Sequence, residues 1–122
     1  MMSILFNPIV SSQYSHEFPI NSLPVIEVVL FETNPEYSIE QVKEALSLLN
    51  ETIKLYKGFI ERITASNNEG KYIDILYWKD MECAKQAAED IIKHPMAIQA
   101  FKVIKPESVQ ILRYESFNSF QE

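Results

Sequence analysis

The sequence is poor in the residues that build several familiar kinds of site. It has two glycines in 122 residues, Gly58 and Gly70, so it contains no Gly-rich loop to cradle a phosphate. A single cysteine, Cys83, excludes an internal disulfide and offers no CxxC or Cys/His companion. The two histidines, His16 and His94, lie far apart, and no His/Cys/Asp/Glu cluster has metal-ligand spacing. Lys and Arg number 11 against 17 Asp and Glu, a formal charge of −6. That balance argues against nucleic acid or an anionic membrane, both of which demand a basic face. No apolar run approaches the roughly 18–20 residues that span a bilayer. Residues 1–10 lack the basic start and long apolar stretch of a signal peptide. A soluble cytoplasmic protein is the expectation.

What is present is enough apolar matter for a core, 47% of residues, in a length that suits one domain. Residues 58–78 read as a β-hairpin. Two runs rich in Ile, Tyr, Phe and Thr, with apolar positions recurring at a period near two, flank the turn cluster Asn67-Asn68-Glu69-Gly70. Ahead of it, residues 25–33 (VIEVVLFET) are apolar almost throughout, as a central strand is, with Glu27 as the interruption. Ser38 and Gln41 form a capping-box pattern, and Ile39, Val42, Leu46, Leu49 and Ile53 make one stripe of a helix expected to run to Tyr56, with Gly58 at its C-cap. Asp80 can cap a second helix, whose alanines permit close packing and which ends at His94-Pro95. A short helical turn at 96–101 and a last strand at 109–117 follow. Residues 1–23, with Pro8 and Pro19, read as an N-terminal arm, 24–117 as the domain, and 118–122 as a polar tail.

The order β-α-β-β-α-β is the split βαβ of a ferredoxin-like α+β fold. It implies a four-stranded antiparallel sheet in the order 4-1-3-2 with helices on one face. The other face is then uncovered, yet Ile26, Val28 and Leu30 are expected to point there while Val25, Val29 and Phe31 point to the helices. An open face that apolar calls for a second copy of the chain, so a homodimer joined through the open sheet face is expected.

The runs PVIEVVLF, YKGFIER, YIDILYWKDMECAKQAAE and PESVQILRY resemble the dimeric α+β-barrel superfamily over about residues 24–116, and within it the antibiotic biosynthesis monooxygenase-like proteins. The resemblance implies a dimeric α/β barrel, and an activity that ranges from cofactor-free oxygenation of polycyclic phenols to stress-response roles without known catalysis. Haem-degrading members use an Asn, a Trp and a His at positions that here hold Glu27, Gln86 or Ala87, and Phe101, so haem degradation is not expected. No cofactor is implied.

Three charges interrupt apolar strands: Glu27, Arg62 and Asp74. Such charges are rarely buried unless paired. With a three-residue loop Asn68-Glu69-Gly70, Arg62, Asp74 and Trp78 share one sheet face; with a two-residue loop Arg62 faces away. In one reading they form a structural ion-pair network in a non-catalytic dimer. In the other they border a pocket for a small aromatic or acidic metabolite. Arg62 would then hold the substrate, Asp74 or Glu27, desolvated by burial, would be a general base, and Trp78, Tyr72 and Phe101 would line the walls. His94 is expected to cap a helix and Cys83 to pack.

Overall fold

The computed structural model describes residues 23–122; the arm expected over 1–23 falls almost wholly outside the described residues. The elements are β1 (Val25–Glu32), α1 (Ile39–Ile53), β2 (Phe59–Ser66), β3 (Lys71–Trp78), α2 (Met81–Ile91), α3 (Pro95–Phe101) and β4 (Gln110–Glu115), with a 3-10 turn at Pro106–Ser108 before β4. The sheet runs β2-β3-β1-β4 with every neighbour antiparallel, the order and fold class the pattern implies.

Register decides what faces the helices. Val25, Glu27, Val29 and Phe31 of β1 oppose Trp78, Leu76, Asp74 and Tyr72 of β3, and these eight share the helix side. Ile26, Val28 and Leu30 oppose Tyr77, Ile75 and Ile73 on the other face. That face carries further apolar side chains from the edge strands, with Ile63 45% and Leu112 40% exposed. On the helix side the core is closed by Val42, Leu46, Leu49 and Ile53 of α1, the stripe read from the sequence, and by Ala84 and Ala87 of α2 and Ala97 and Ala100 of α3. Phe31 stacks on Tyr72 at 5.6 Å, and Phe59 meets Trp78 edge-on at 5.7 Å.

Local signals act as their chemistry dictates. The Ser38 hydroxyl accepts from the Gln41 N–H while the Gln41 side chain accepts from the Ser38 N–H, a reciprocal cap. Asp80 accepts from the Cys83 N–H, which holds the Asp80 carboxyl below its ordinary range, and His94 Nδ1 accepts from the Met96 N–H. Three boundaries differ from the sequence reading. Helix α1 ends at Ile53, because the backbone tightens into turns at Leu55 and Tyr56. Gly58 therefore caps no helix. Its φ of +82° turns the chain against the start of α2, where a Cβ would lie 2.6 Å from Cys83 Sγ. Strand β4 is shorter at both ends: the 3-10 turn precedes Val109, and Phe117 has left the sheet, 94% exposed.

Candidate functional site

The hairpin loop is the three-residue one. Asn67 donates its N–H to the Lys71 carbonyl, and Asn68 and Gly70 take positive φ within the loop. The Asn67 side chain accepts from the N–H groups of Glu69 and Lys71 and fixes the turn. This parity brings Arg62, Asp74 and Trp78 to the helix side of the sheet together.

Two carboxylates stand there, both buried. Asp74 Oδ1 accepts from Arg62 Nε at 3.2 Å and from the Thr64 hydroxyl, and Oδ2 accepts from Arg62 Nη2 at 2.8 Å. Glu27 Oε1 accepts from Trp78 Nε1 at 3.2 Å and Oε2 from Arg113 Nε at 2.7 Å. Arg113 lies directly opposite Glu27 on β4 and remains partly open to solvent. An ionised carboxylate offers about four acceptor positions. Among the described residues Asp74 uses three and Glu27 two.

Both residues line a cavity of about 380 Å³ between the sheet and the helices. Glu27, Asp74, Leu76 and Trp78 contribute from the two central strands. Leu49, Ile53 and Tyr56 close it from the α1 side, Ala87, Ala88 and Ile91 from α2, and Phe101 from α3. Ile92, Val109 and Ile111, each well exposed, mark the mouth beside β4. The void exists because α2 presents alanines where a larger side chain would fill the space. Apart from the two carboxylates, the polar side-chain groups of its wall residues are the Trp78 indole N–H, which donates to Glu27, and the Tyr56 phenol, which donates to Asp90. Burial and the Asp90 carboxylate push that phenol up to about 12. No cation lies among the described lining residues. The size and the largely apolar wall with a few convergent polar atoms are those of a small-molecule site.

The sequence-predicted residues divide. Glu27, Asp74, Trp78 and Phe101 border this cavity. Arg62 and Tyr72 instead face a second cleft on the other side of Asp74, between α1 and β2. Arg62 is also committed: Nη1 donates to the Leu46 carbonyl and to Asn50 Oδ1, both at 2.7 Å, while Nε and Nη2 grip Asp74. Arg113, Thr64 and Tyr56 are functional neighbours that the sequence reading passed over. Arg113 carried a usable signal, since it falls on the inward alternation of the last strand. Among the described residues no group of three or more His, Cys, Asp and Glu is placed to hold a metal, and no helix is long and apolar enough to cross a membrane.

No protein-family model and no curated protein matches the chain. Solved structures do. The chain is similar to SnoaB, a cofactor-independent oxygenase from Streptomyces nogalater, with a TM-score of 0.66 and 13% identity, covering 81% of this chain and 98% of that one. It is similar to a dimeric ferredoxin-like protein of unknown function from Jannaschia sp. CCS1, with a TM-score of 0.57 and 16% identity over 77% of this chain and all of the other, 100%. It is also similar to a mutant of MhuD, solved with two manganese protoporphyrin IX bound per active site, at a TM-score of 0.60 and 15% identity over 81% and 100% of the two chains. At such identities the likeness establishes the fold. The chain has the ferredoxin-like α+β fold that antibiotic biosynthesis monooxygenase-like proteins share.

Proposed function

We propose that the cavity beside Glu27 binds a small, neutral, hydroxyl-bearing aromatic molecule, and that the protein is a cofactor-independent monooxygenase acting on it. One observation carries the reading: two buried carboxylates with unused acceptor positions line a largely apolar space of about 380 Å³. Acceptors in an apolar cavity select a ligand that donates hydrogen bonds, because any other leaves them unpaired. They also oppose an acidic ligand, since no cation on the described wall would answer its charge. Glu27 is the better-placed base of the two, with two free acceptor positions against one on Asp74. In its catalytic role it takes a proton from the bound hydroxyl, and the resulting phenolate reduces O₂ itself: one oxygen atom bonds to a ring carbon in place of its hydrogen, the other leaves as water, and the hydroxylated ring, which supplies all the electrons, ends as a quinone. The likeness to SnoaB, described as a cofactor-independent oxygenase, supports this chemistry.

The same reading makes the protein a homodimer joined through the open sheet face; two ferredoxin-like proteins to which the chain is similar are described as dimeric. A second reading has one observation in its favour. Each carboxylate is held by an arginine, as a structural network requires, and a dimer without catalysis would keep both pairs.

Trp78 decides between the two. It is the chain's one tryptophan, lies on the cavity wall, and donates to Glu27. Hydroxylated polycyclic aromatics should change its fluorescence saturably and be consumed with O₂ uptake. In Glu27→Gln the uptake should be lost while the fold is kept. Absence of both a fluorescence response and O₂ uptake across a broad panel would reject the enzyme reading and leave the structural one.

A further inference from the structure

The two ion pairs beside the cavity are built differently, and the difference decides which carboxylate can change its charge. Arg62 holds Asp74 through two atoms, donates also to the Leu46 carbonyl and Asn50 Oδ1, and its side chain is 4% exposed. Arg113 holds Glu27 through one atom, Nε at 2.7 Å, and its side chain is 24% exposed on the edge strand β4. A proton arriving on Asp74 would strand the Arg62 guanidinium without a counter-charge where little water reaches. A proton arriving on Glu27 leaves Arg113 with water as a partner. The first pair is locked, and the second can open and close. Glu27 is also held by Trp78 Nε1 at 3.2 Å, a longer and uncharged bond. The other ionisable groups on the helix face of the sheet are Asp74 and Tyr72 of β3, Arg62 of β2 and Glu115 of β4. The helix side adds Tyr56 and its partner Asp90, while the wall residues from α2 and α3 carry no charge. With Arg62 committed to Asp74, Arg113 is the cation of this face that answers Glu27.

We infer, on the base role proposed for Glu27, that Arg113 is the positioning residue of this site: its Nε aims the Glu27 carboxylate, and its partly solvated guanidinium lets that carboxylate take up and release a proton. The bound hydroxyl gives its proton to Glu27, and the attraction between Glu27 and Arg113 weakens to a hydrogen bond with a neutral acceptor. It returns when Glu27 passes the proton to water. Arg113 is not among the residues that line the cavity, so it acts through Glu27 and not on the ligand.

The test compares wild type with Arg113→Met, which keeps an apolar stem, and Arg113→Lys, which keeps the charge. The first readout is the indole N–H resonance of Trp78, the chain's one tryptophan, recorded without ligand. Its bond to Glu27 Oε1 makes it a reporter of where that carboxylate stands. The resonance should move in Arg113→Met and return part of the way in Arg113→Lys. The second readout is O₂ uptake with α-naphthol, or with the hydroxylated aromatic that wild type consumes fastest. In Arg113→Met kcat should fall about tenfold or more while KM stays within about threefold, and Arg113→Lys should recover part of the loss. Should Arg113→Met not hold its fold by circular dichroism, Arg113→Lys carries the same two readouts, with smaller changes in the same direction. An unmoved indole resonance, or an unchanged kcat in a folded variant, would overturn the positioning role and leave the base role of Glu27 standing. No uptake by wild type would instead remove the base role, and the indole resonance then decides by itself whether Arg113 positions Glu27.

Discussion

Arg62 and Asp74 bridge the hairpin diagonally. Asp74 stands opposite Thr64 and Arg62 opposite Leu76, so the guanidinium reaches one pair along the ladder to hold both carboxylate oxygens. Asp74 is thereby shared between two spaces. Its carboxylate borders the cavity at Glu27, while the arginine that grips it forms the floor of the cleft under α1.

Removing one member of this pair strands the other. Asp74→Ala leaves a guanidinium buried against α1 with no counter-charge, and should lower stability by about 3–5 kcal/mol. Replacing both, as in Arg62→Met with Asp74→Leu, removes the desolvation cost together with the attraction and should be milder than the single change. Urea unfolding of the two variants checks the order. A double variant less stable than Asp74→Ala would mean that the pair contributes net stability beyond its own desolvation.

The two glycines separate backbone strain from steric clash. Gly58 and Gly70 have nearly the same φ, +82° and +83°. A Cβ on Gly70 meets nothing within 4 Å, whereas one on Gly58 would overlap Cys83. Gly70→Ala should cost the left-handed penalty alone, about 1–2 kcal/mol. Gly58→Ala adds the displacement of α2 and should cost about 1–3 kcal/mol more. Equal losses in thermal unfolding would show that α2 yields freely at Cys83.

Tyr56 sets an alkaline limit. Its phenol is raised to about 12 in the folded chain against an ordinary value of 10.0, so the folded state holds this proton more tightly than the unfolded one. The stabilisation is complete below pH 10 and is lost as pH rises towards 12. Tyr56→Phe abolishes that dependence, so wild type should lose stability faster than the variant between those limits. Parallel slopes in urea midpoints across that range would rule out the Asp90 contact as the cause.

How much of this was legible in the sequence follows from what kind of signal each feature leaves. Alternation at Glu27 and Asp74, the α1 stripe and the Ser38 and Asp80 caps are local, and local patterns survive without coordinates. The hairpin parity is not local information. Asn67-Asn68-Glu69-Gly70 serves a two- or a three-residue loop, and one residue decides whether Arg62 meets Asp74. The cavity is an absence, which leaves no residue to read. Ala87 and Ala88 suggested that α2 packs close to the sheet, but they border the empty space. Arg62 was visible as a charge in a strand, but its commitment to Leu46 and Asn50 depends on where α1 crosses the sheet.

The open sheet face yields the remaining prediction. Ile63, Leu112 and Tyr114 are 45%, 40% and 56% exposed, and they lie beside the half-buried Ile26, Val28, Ile73 and Ile75 on the same face. An apolar face of this kind in water favours association. Because Ile63 and Leu112 sit on the two edge strands, a charge at either is solvated in a single chain but desolvated between two sheets. Ile63→Glu and Leu112→Glu should therefore leave the subunit folded and weaken self-association by a factor of ten or more, since the cost of an unpaired buried charge exceeds about 1.4 kcal/mol. Light scattering at micromolar concentration is the measurement, with circular dichroism to confirm the fold. Wild type should scatter as a dimer and the double variant as a monomer. A folded, monomeric wild type at that concentration would remove the dimer and leave the face for another partner.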